Sequence, residues 1–178
     1  MDTLANMGKG CFPIAEGGLG VRSLGDMVKA FACKFWWRVW QRESIRVKFM
    51  FSKYVREWHP LVVVTHRPMG TWKRLLDVRE VAKTQIRWSL GASLVDFWLD
   101  TWCGNTPLNQ LVPLDMKKPH FLVAKFYGRD GWNVDRLRQW LLTEVVEQIL
   151  LIPFDPQRKD EIVWSPSSTG KFSLGSTW

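Results

Sequence analysis

The stretch that decides the fold, residues 27–41, reads MVKAFACKFWWRVWQ. Its apolar side chains recur every three or four residues, which places them on one face of a helix. The residues with this spacing are Val28, Phe31, Ala32, Phe35, Trp36 and Val39. The pattern predicts an amphipathic α-helix that buries its apolar face and turns its basic residues outward.

Shorter segments on the C-terminal side predict four more helices. The first two cover residues 45–55 and 72–83, and the next covers residues 134–141 after an N-cap at Asn133. The last begins at Thr143, which we expect to act as its cap, and ends at Pro153. Asn and Thr are favoured N-cap residues because their side chains accept a hydrogen bond from the first helical turn.

Two stretches change from the helical period to strict alternation, which is typical of strands. Residues 86–90 and 95–100 flank a short loop at Gly91, and they predict one β-hairpin. Residues 162–164 and 172–174 flank a turn ending at Gly170, and they predict a second. The expected fold class is therefore α+β, mainly helical with two short β-hairpins, and no complete independent fold is assured.

Tryptophan is unusually frequent, with 12 residues in a chain of 178. Buried indoles usually need a partner for their N–H group, and exposed ones leave a large apolar surface in water. This density predicts either several small cores or surfaces that a partner covers.

Positive charge is concentrated in one segment. Residues 29–87 hold 14 basic and four acidic residues, a net charge of +10, whereas the whole chain carries +8. Such a bias predicts contact with a polyanion, RNA or DNA, without sequence specificity. The residues expected to contact phosphates are Lys34, Arg38, Arg42, Lys48, Lys53, Lys73 and Arg74.

The chain has no complete set of residues for catalysis or metal binding. The three cysteines are far apart, the three histidines fall in separate loops, and no phosphate-binding glycine motif is present. Asp96 and Asp100 would share one face of a predicted strand and could hold Mg²⁺, but such sites usually recruit a third acid. We therefore expect no metal site, no cofactor and no enzymatic activity in this chain.

A membrane partner is not expected either. Residues 1–10 lack a signal-peptide pattern, and no apolar stretch approaches the roughly 20 residues that a membrane span requires.

Three blocks of residues, in the same order, resemble plant LINE-type (non-LTR) retrotransposon polyproteins. The first combines EGGLGVRSL at residues 16–24 with AFACKFWWR at residues 30–38. The second runs from WSLGAS at residues 88–93 to FWLDTW at residues 97–102. The third runs from Trp164 through GKFS at residues 170–173 to Ser176, and it resembles the opening of the reverse-transcriptase zinc-binding region.

The resemblance implies a division into three segments. Residues 1–70 would be a thumb-like helical segment, residues 71–130 a connector with a β-hairpin, and residues 131–178 the truncated start of the zinc-binding region. The polymerase acids would lie before Met1 and the zinc ligands after Trp178. The Mg²⁺, Zn²⁺ and any ribonuclease H activity of the family would then belong to the parent polyprotein, in the nucleus or cytoplasm.

The function implied is a non-catalytic, nucleic-acid-associated fragment of a reverse-transcriptase polyprotein, which supports template–primer or element-RNA binding. The rest of that polyprotein would be a second partner. One alternative is a non-functional fragment of a retroelement gene with no specific binding. A second, less favoured, is a metal-dependent nuclease that uses Asp96 and Asp100.

Overall fold

The computed structural model describes residues 24–42, 44–56, 58–68, 70–92 and 94–177. Three helices come first: α1 spans Leu24–Gln41, α2 spans Ile45–Met50 and continues as a π-helical turn over Phe51–Val55, and α3 spans Gly70–Gln85. These confirm the three helices predicted from apolar spacing. The glycine-rich start of the first resemblance block lies outside the described residues.

Two short helices follow in the second half of the chain. Helix α4 spans Val134–Arg138, and its predicted cap is confirmed because the Asn133 side chain accepts a hydrogen bond from Arg136 N at 2.9 Å. Helix α5 spans Thr143–Leu150. The predicted cap at Thr143 is wrong, since Thr143 is already helical and the cap position falls on Leu142, which has no polar side chain.

The strands form two small antiparallel sheets. Strand β1, Ile86–Ser89, pairs with β4, Glu161–Trp164, and strand β2, Tyr127–Gly128, pairs with β3, Gly131–Trp132. The predicted class, α+β and mainly helical, is thereby confirmed. The positions of the two predicted hairpins are wrong, because their first arms pair with each other across the chain.

The second arm of the first predicted hairpin forms a tight turn instead of a strand. The Asp96 carboxylate accepts hydrogen bonds from the backbone N–H groups of Trp98 at 2.9 Å and Leu99 at 2.8 Å, which bends the chain back. All four residues from Val95 to Trp98 are buried, so the alternation of apolar and polar residues here does not correspond to a buried face and a solvent-exposed face. The second arm of the other hairpin leads into a 3₁₀ turn at Leu174–Thr177.

The first core lies between α1, α3 and strand β4. Trp36, Trp72 and Trp164 are fully buried in it, although Trp164 comes from the far end of the chain. The ring centroids of Trp36 and Trp72 are 6.5 Å apart, and Trp164 packs edge-on against Trp37 at 6.0 Å. Burial of such rings contributes about 1.5–3 kcal/mol each, so they account for much of the stability of this core.

The second core is built around the turn that follows Val95. Phe97 stacks on Phe126 with centroids 4.0 Å apart. The indole N–H of Trp98 donates to Pro119 O at 2.9 Å, and that of Trp102 donates to Phe97 O at 3.0 Å. Of the tryptophans that the structure describes, Trp58 alone is strongly exposed. The tryptophan excess therefore serves two cores.

Gly91 lies where two distant segments cross. A Cβ atom at this position would lie 2.3 Å from the backbone carbon of Lys159, and the next residue, Ala92, donates its N–H to Arg158 O at 2.6 Å. Gly91→Ala should therefore lower the free energy of unfolding by about 1–3 kcal/mol, because a backbone segment has to move. The measurement is a urea unfolding curve, with Gly128→Ala as the control since its added Cβ meets nothing within 4 Å.

Candidate nucleic-acid interface and adjoining pocket

Three of the predicted phosphate contacts follow one side of α1 and its end. Lys34 and Arg38 are four residues apart on α1, which places one side chain above the other, and Arg42 follows directly after the helix ends at Gln41. Arg38 and Arg42 are exposed and Lys34 is half-buried. The buried residues Trp36, Trp37 and Val39 hold the rest of the helix against the first core.

Arg42 ends α1 in an unusual conformation. Its φ of 54° lies in the left-handed region that favours glycine, and its N–H donates to Arg38 O at 3.1 Å. The guanidinium lies over the Phe51 ring, 4.2 Å from the centroid. An arginine therefore occupies a position where glycine would be less strained, and its side chain is held beside the start of the π-helical turn.

The remaining predicted contacts lie on the next two helical segments. Lys48 is on α2, Lys53 is on the π-helical turn, and Lys73 and Arg74 are in the first turns of α3; all four are exposed. The Lys53 ammonium lies 5.3 Å from the centroid of the Tyr54 ring.

Most of these cations lack a counter-charge. Within the described ranges, no ion pair engages any of Lys34, Arg38, Arg42, Lys48, Lys73 and Arg74. The positive electrostatic potential of exposed Lys and Arg residues is not neutralised when no acidic side chain pairs with them, and this potential attracts phosphates.

Two cavities are lined by both a predicted phosphate-contacting residue and another basic residue. Arg74 and Arg46 line a cleft of about 350 Å³ whose floor is apolar and includes Phe31 and Phe35 of α1. Arg42 lines a pocket of about 450 Å³ that also holds Lys159. Arg46 belongs to the basic segment but was not among the predicted contacts. Its place beside Arg74 could not be predicted from the sequence, because the two residues are 28 positions apart.

The pocket at Arg42 is formed by the end of α1, by Trp88 of β1 and by loop residues that are distant in sequence. Its walls mix aromatic rings, two cations and a row of carboxylates, and the residues that define this polar pocket are Trp40, Arg42, Trp58, His59, Pro60, Trp88, Ala92, Leu94, Asp96, Asp100, His120, Leu122, Lys159 and Asp160. Periodicity could not predict it, because its residues come from segments up to 120 positions apart.

His59 has both ring nitrogens engaged. Its Nδ1 accepts a hydrogen bond from Leu61 N at 3.3 Å, so the proton of the neutral ring lies on Nε2, which donates to Asp100 Oδ1 at 3.1 Å. Because neither nitrogen is open, this histidine ties the loop at residues 58–61 to the turn that holds Asp100.

Asp96 and Asp100 are adjacent, as the sequence suggested, but their oxygens already have donors. Asp100 Oδ2 accepts from Asp96 N at 2.8 Å, and Asp96 Oδ2 lies 3.2 Å from Nε2 of His120. With the two backbone bonds to Asp96 Oδ1, all four carboxylate oxygens have a partner within the fold. Both acids therefore have a structural role: they hold the turn that follows Val95 and contact the rings of His59 and His120.

Asp160 was not singled out from the sequence. Its carboxylate accepts hydrogen bonds from Gly91 N at 2.8 Å and Leu94 N at 2.7 Å, which are 69 and 66 positions away. No local motif marks such a residue, since its partners are backbone groups of a distant loop. Asp160 thereby holds Gly91 and Leu94 beside the start of β4, at the edge of the polar pocket.

The comparisons with known proteins give one distant relative. An Arabidopsis thaliana protein named "Putative ribonuclease H protein" is 27% identical to this chain, over an alignment that covers 98% of the chain and 30% of that protein. The chain thus spans about a third of the length of this relative. No family model matches the chain, and no solved structure matches it.

The described residues hold no group of three His, Cys, Asp or Glu side chains that could bind a metal ion. Cys33 and Cys103 are free thiols within the two cores, and burial raises the pKa of both above the ordinary value of 9.0. A thiol with a raised pKa is a poor nucleophile near neutral pH. No helix in the described part of the chain is long and apolar enough to cross a membrane.

Proposed function

We propose that this chain is a nucleic-acid-binding part of a plant LINE-type reverse-transcriptase polyprotein, and that it does not catalyse a reaction by itself. It contributes a basic surface that holds the phosphates of the template–primer or of the element RNA. The polymerase acids, the zinc ligands and their Mg²⁺ and Zn²⁺ ions belong to other parts of the parent protein. The remainder of that polyprotein is its second partner.

One observation carries this proposal. Six cations on the first three helices, Lys34 to Arg74, have no ion-pair partner among the described residues, within a segment of net charge +10. A protein with such a surface releases counterions from nucleic acid when it binds, which makes the affinity strongly dependent on salt.

The relative supports the same class of function. Its name assigns it to ribonuclease H, an activity on RNA, and almost the whole of this chain aligns with part of it. The resemblance to LINE-type polyproteins is carried by framework residues. Phe97, Trp98 and Trp102 form the second core, and Trp164 completes the first.

The test is the salt dependence of binding to a single-stranded RNA. Replacing Lys48, Lys73 and Arg74 by alanine should reduce the magnitude of the slope of log K against log salt by about 2, since each lost phosphate contact removes about 0.7. The binding constants would be measured by fluorescence anisotropy over a range of KCl concentrations.

A matched control removes the same charge elsewhere. Lys117, Arg129 and Lys171 are exposed and lie outside the basic segment, so their triple alanine variant should keep the original slope. Equal effects of the two triple variants would contradict a localised surface. Failure of the wild-type chain to bind RNA at low salt would overturn the proposal and favour a gene fragment without specific binding.

A further inference from the structure

We propose that the polar pocket receives one unpaired base of a single-stranded nucleic acid whose phosphates lie along the first three helices. The ligand class is a nucleobase with its adjoining phosphate, stacked on Trp58 and contacted by Arg42. This inference rests on the proposed function. It adds a site beside the basic surface where one base, turned out of the nucleic-acid strand, binds.

Trp58 is the residue that makes a stacking site. Its side chain is 71% exposed, although every other described tryptophan lies in or against a core. Its indole makes no ring contact within the described part of the chain, but it lines the pocket. An exposed indole is costly unless a flat apolar partner covers it, and every base has a face that can do so.

Arg42 joins the pocket to the basic surface. It directly follows the last residue of α1, after Lys34 and Arg38, and it is also a residue of the pocket wall. Its guanidinium lies over the Phe51 ring, which fixes the direction of the side chain. Lys159 stands on the β4 side of the same pocket. A single-stranded nucleic acid that lies along α1 would therefore bring a phosphate to a pocket lined by two cations, Arg42 and Lys159.

The polar wall fits a base better than a second phosphate. His120 is 70% exposed, and its Nε2 faces Asp96, which leaves Nδ1 without a partner among the described residues. Asp96, Asp100 and Asp160 add negative charge, which opposes a phosphate deep in the pocket. Amino groups on base edges are donors, and the unengaged Nδ1 of His120 can accept a hydrogen bond from one of them when the ring proton lies on the Nε2 that faces Asp96. The volume of about 450 Å³ is within the range of small-ligand pockets.

The test compares two single-stranded DNA probes of equal length at one low salt concentration, one with bases and one fully abasic. In the full chain, Trp58→Ala should weaken binding of the base-containing probe about 5-fold to 100-fold and leave the abasic probe unchanged, because stacking on one ring contributes on this scale. Trp58→Phe should retain most of the affinity. Arg42→Ala should weaken both probes.

The control is Leu114→Ala, which removes an even more exposed apolar side chain outside the pocket and should change neither affinity. If the wild-type chain binds both probes equally and Trp58→Ala alters neither, the pocket proposal is overturned while the basic surface stands. The same holds if Trp58→Ala weakens both probes to the same extent. If neither probe binds, the proposed function fails and this inference fails with it.

Discussion

Replacing Trp164 by alanine should lower the free energy of unfolding by about 3–5 kcal/mol, the largest single-residue effect we expect in this chain. Trp164 is fully buried, packs against Trp37 and Phe172, and donates its indole N–H to Ser176 Oγ at 3.0 Å. The alanine variant leaves a cavity between α1 and β4 and also removes this hydrogen bond. Urea unfolding followed by circular dichroism would measure the loss.

Trp58→Ala is the matched control, because it removes the same side chain from a position that is 71% exposed. Its free energy of unfolding should stay within about 0.5 kcal/mol of the wild-type value. Similar losses from the two variants would contradict a stabilising effect that depends on burial of the indole. A selective loss at Trp164 would show that β4 stabilises the helices of the first half.

The second large effect is expected at Asp96, a buried residue directly before Phe97 of the second core. Asp96→Ala should lower the free energy of unfolding by about 3 kcal/mol, since it leaves the N–H groups of Trp98 and Leu99 without their acceptor. Thermal unfolding and the urea midpoint would both report it.

Asp96→Asn separates hydrogen bonding from charge. The amide oxygen can still accept from both backbone groups, so the loss should be only about 1 kcal/mol. Equal losses from Asn and Ala would contradict a turn held by these two bonds. They would instead indicate that the negative charge facing His120 dominates.

The helices could be predicted because their information is local. Apolar residues three and four positions apart mark α1 and α3 directly, and the observed bounds extend the predicted ones by only two or three residues. The cap at Asn133 was equally local. The assignment at Thr143 failed because a good cap residue one position inside a helix has the same sequence signature as one at the cap position.

The sheet and the pocket could not be predicted because their partners are not neighbours in sequence. Alternation at residues 86–89 correctly indicates a strand, but it contains no information on whether the partner follows at once or, as observed, at residues 161–164. The contacts of Asp160 with the loop at Gly91 have the same origin. For the basic surface, the sequence predicts the excess of charge. That Arg74 and Arg46 line one cleft, and that Arg42 and Lys159 line one pocket, is known only from the fold.

The pairing of β1 with β4 also sets the order in which the chain can mature during synthesis. The residue that seals the first core, Trp164, is the register partner of Ile86 and lies 78 positions after it. At translation speeds of roughly 5–20 residues per second, the helices wait about 4–16 s with their tryptophan-rich face uncovered. Exposed apolar surface of this kind makes a nascent chain prone to aggregation until β4 has been synthesised.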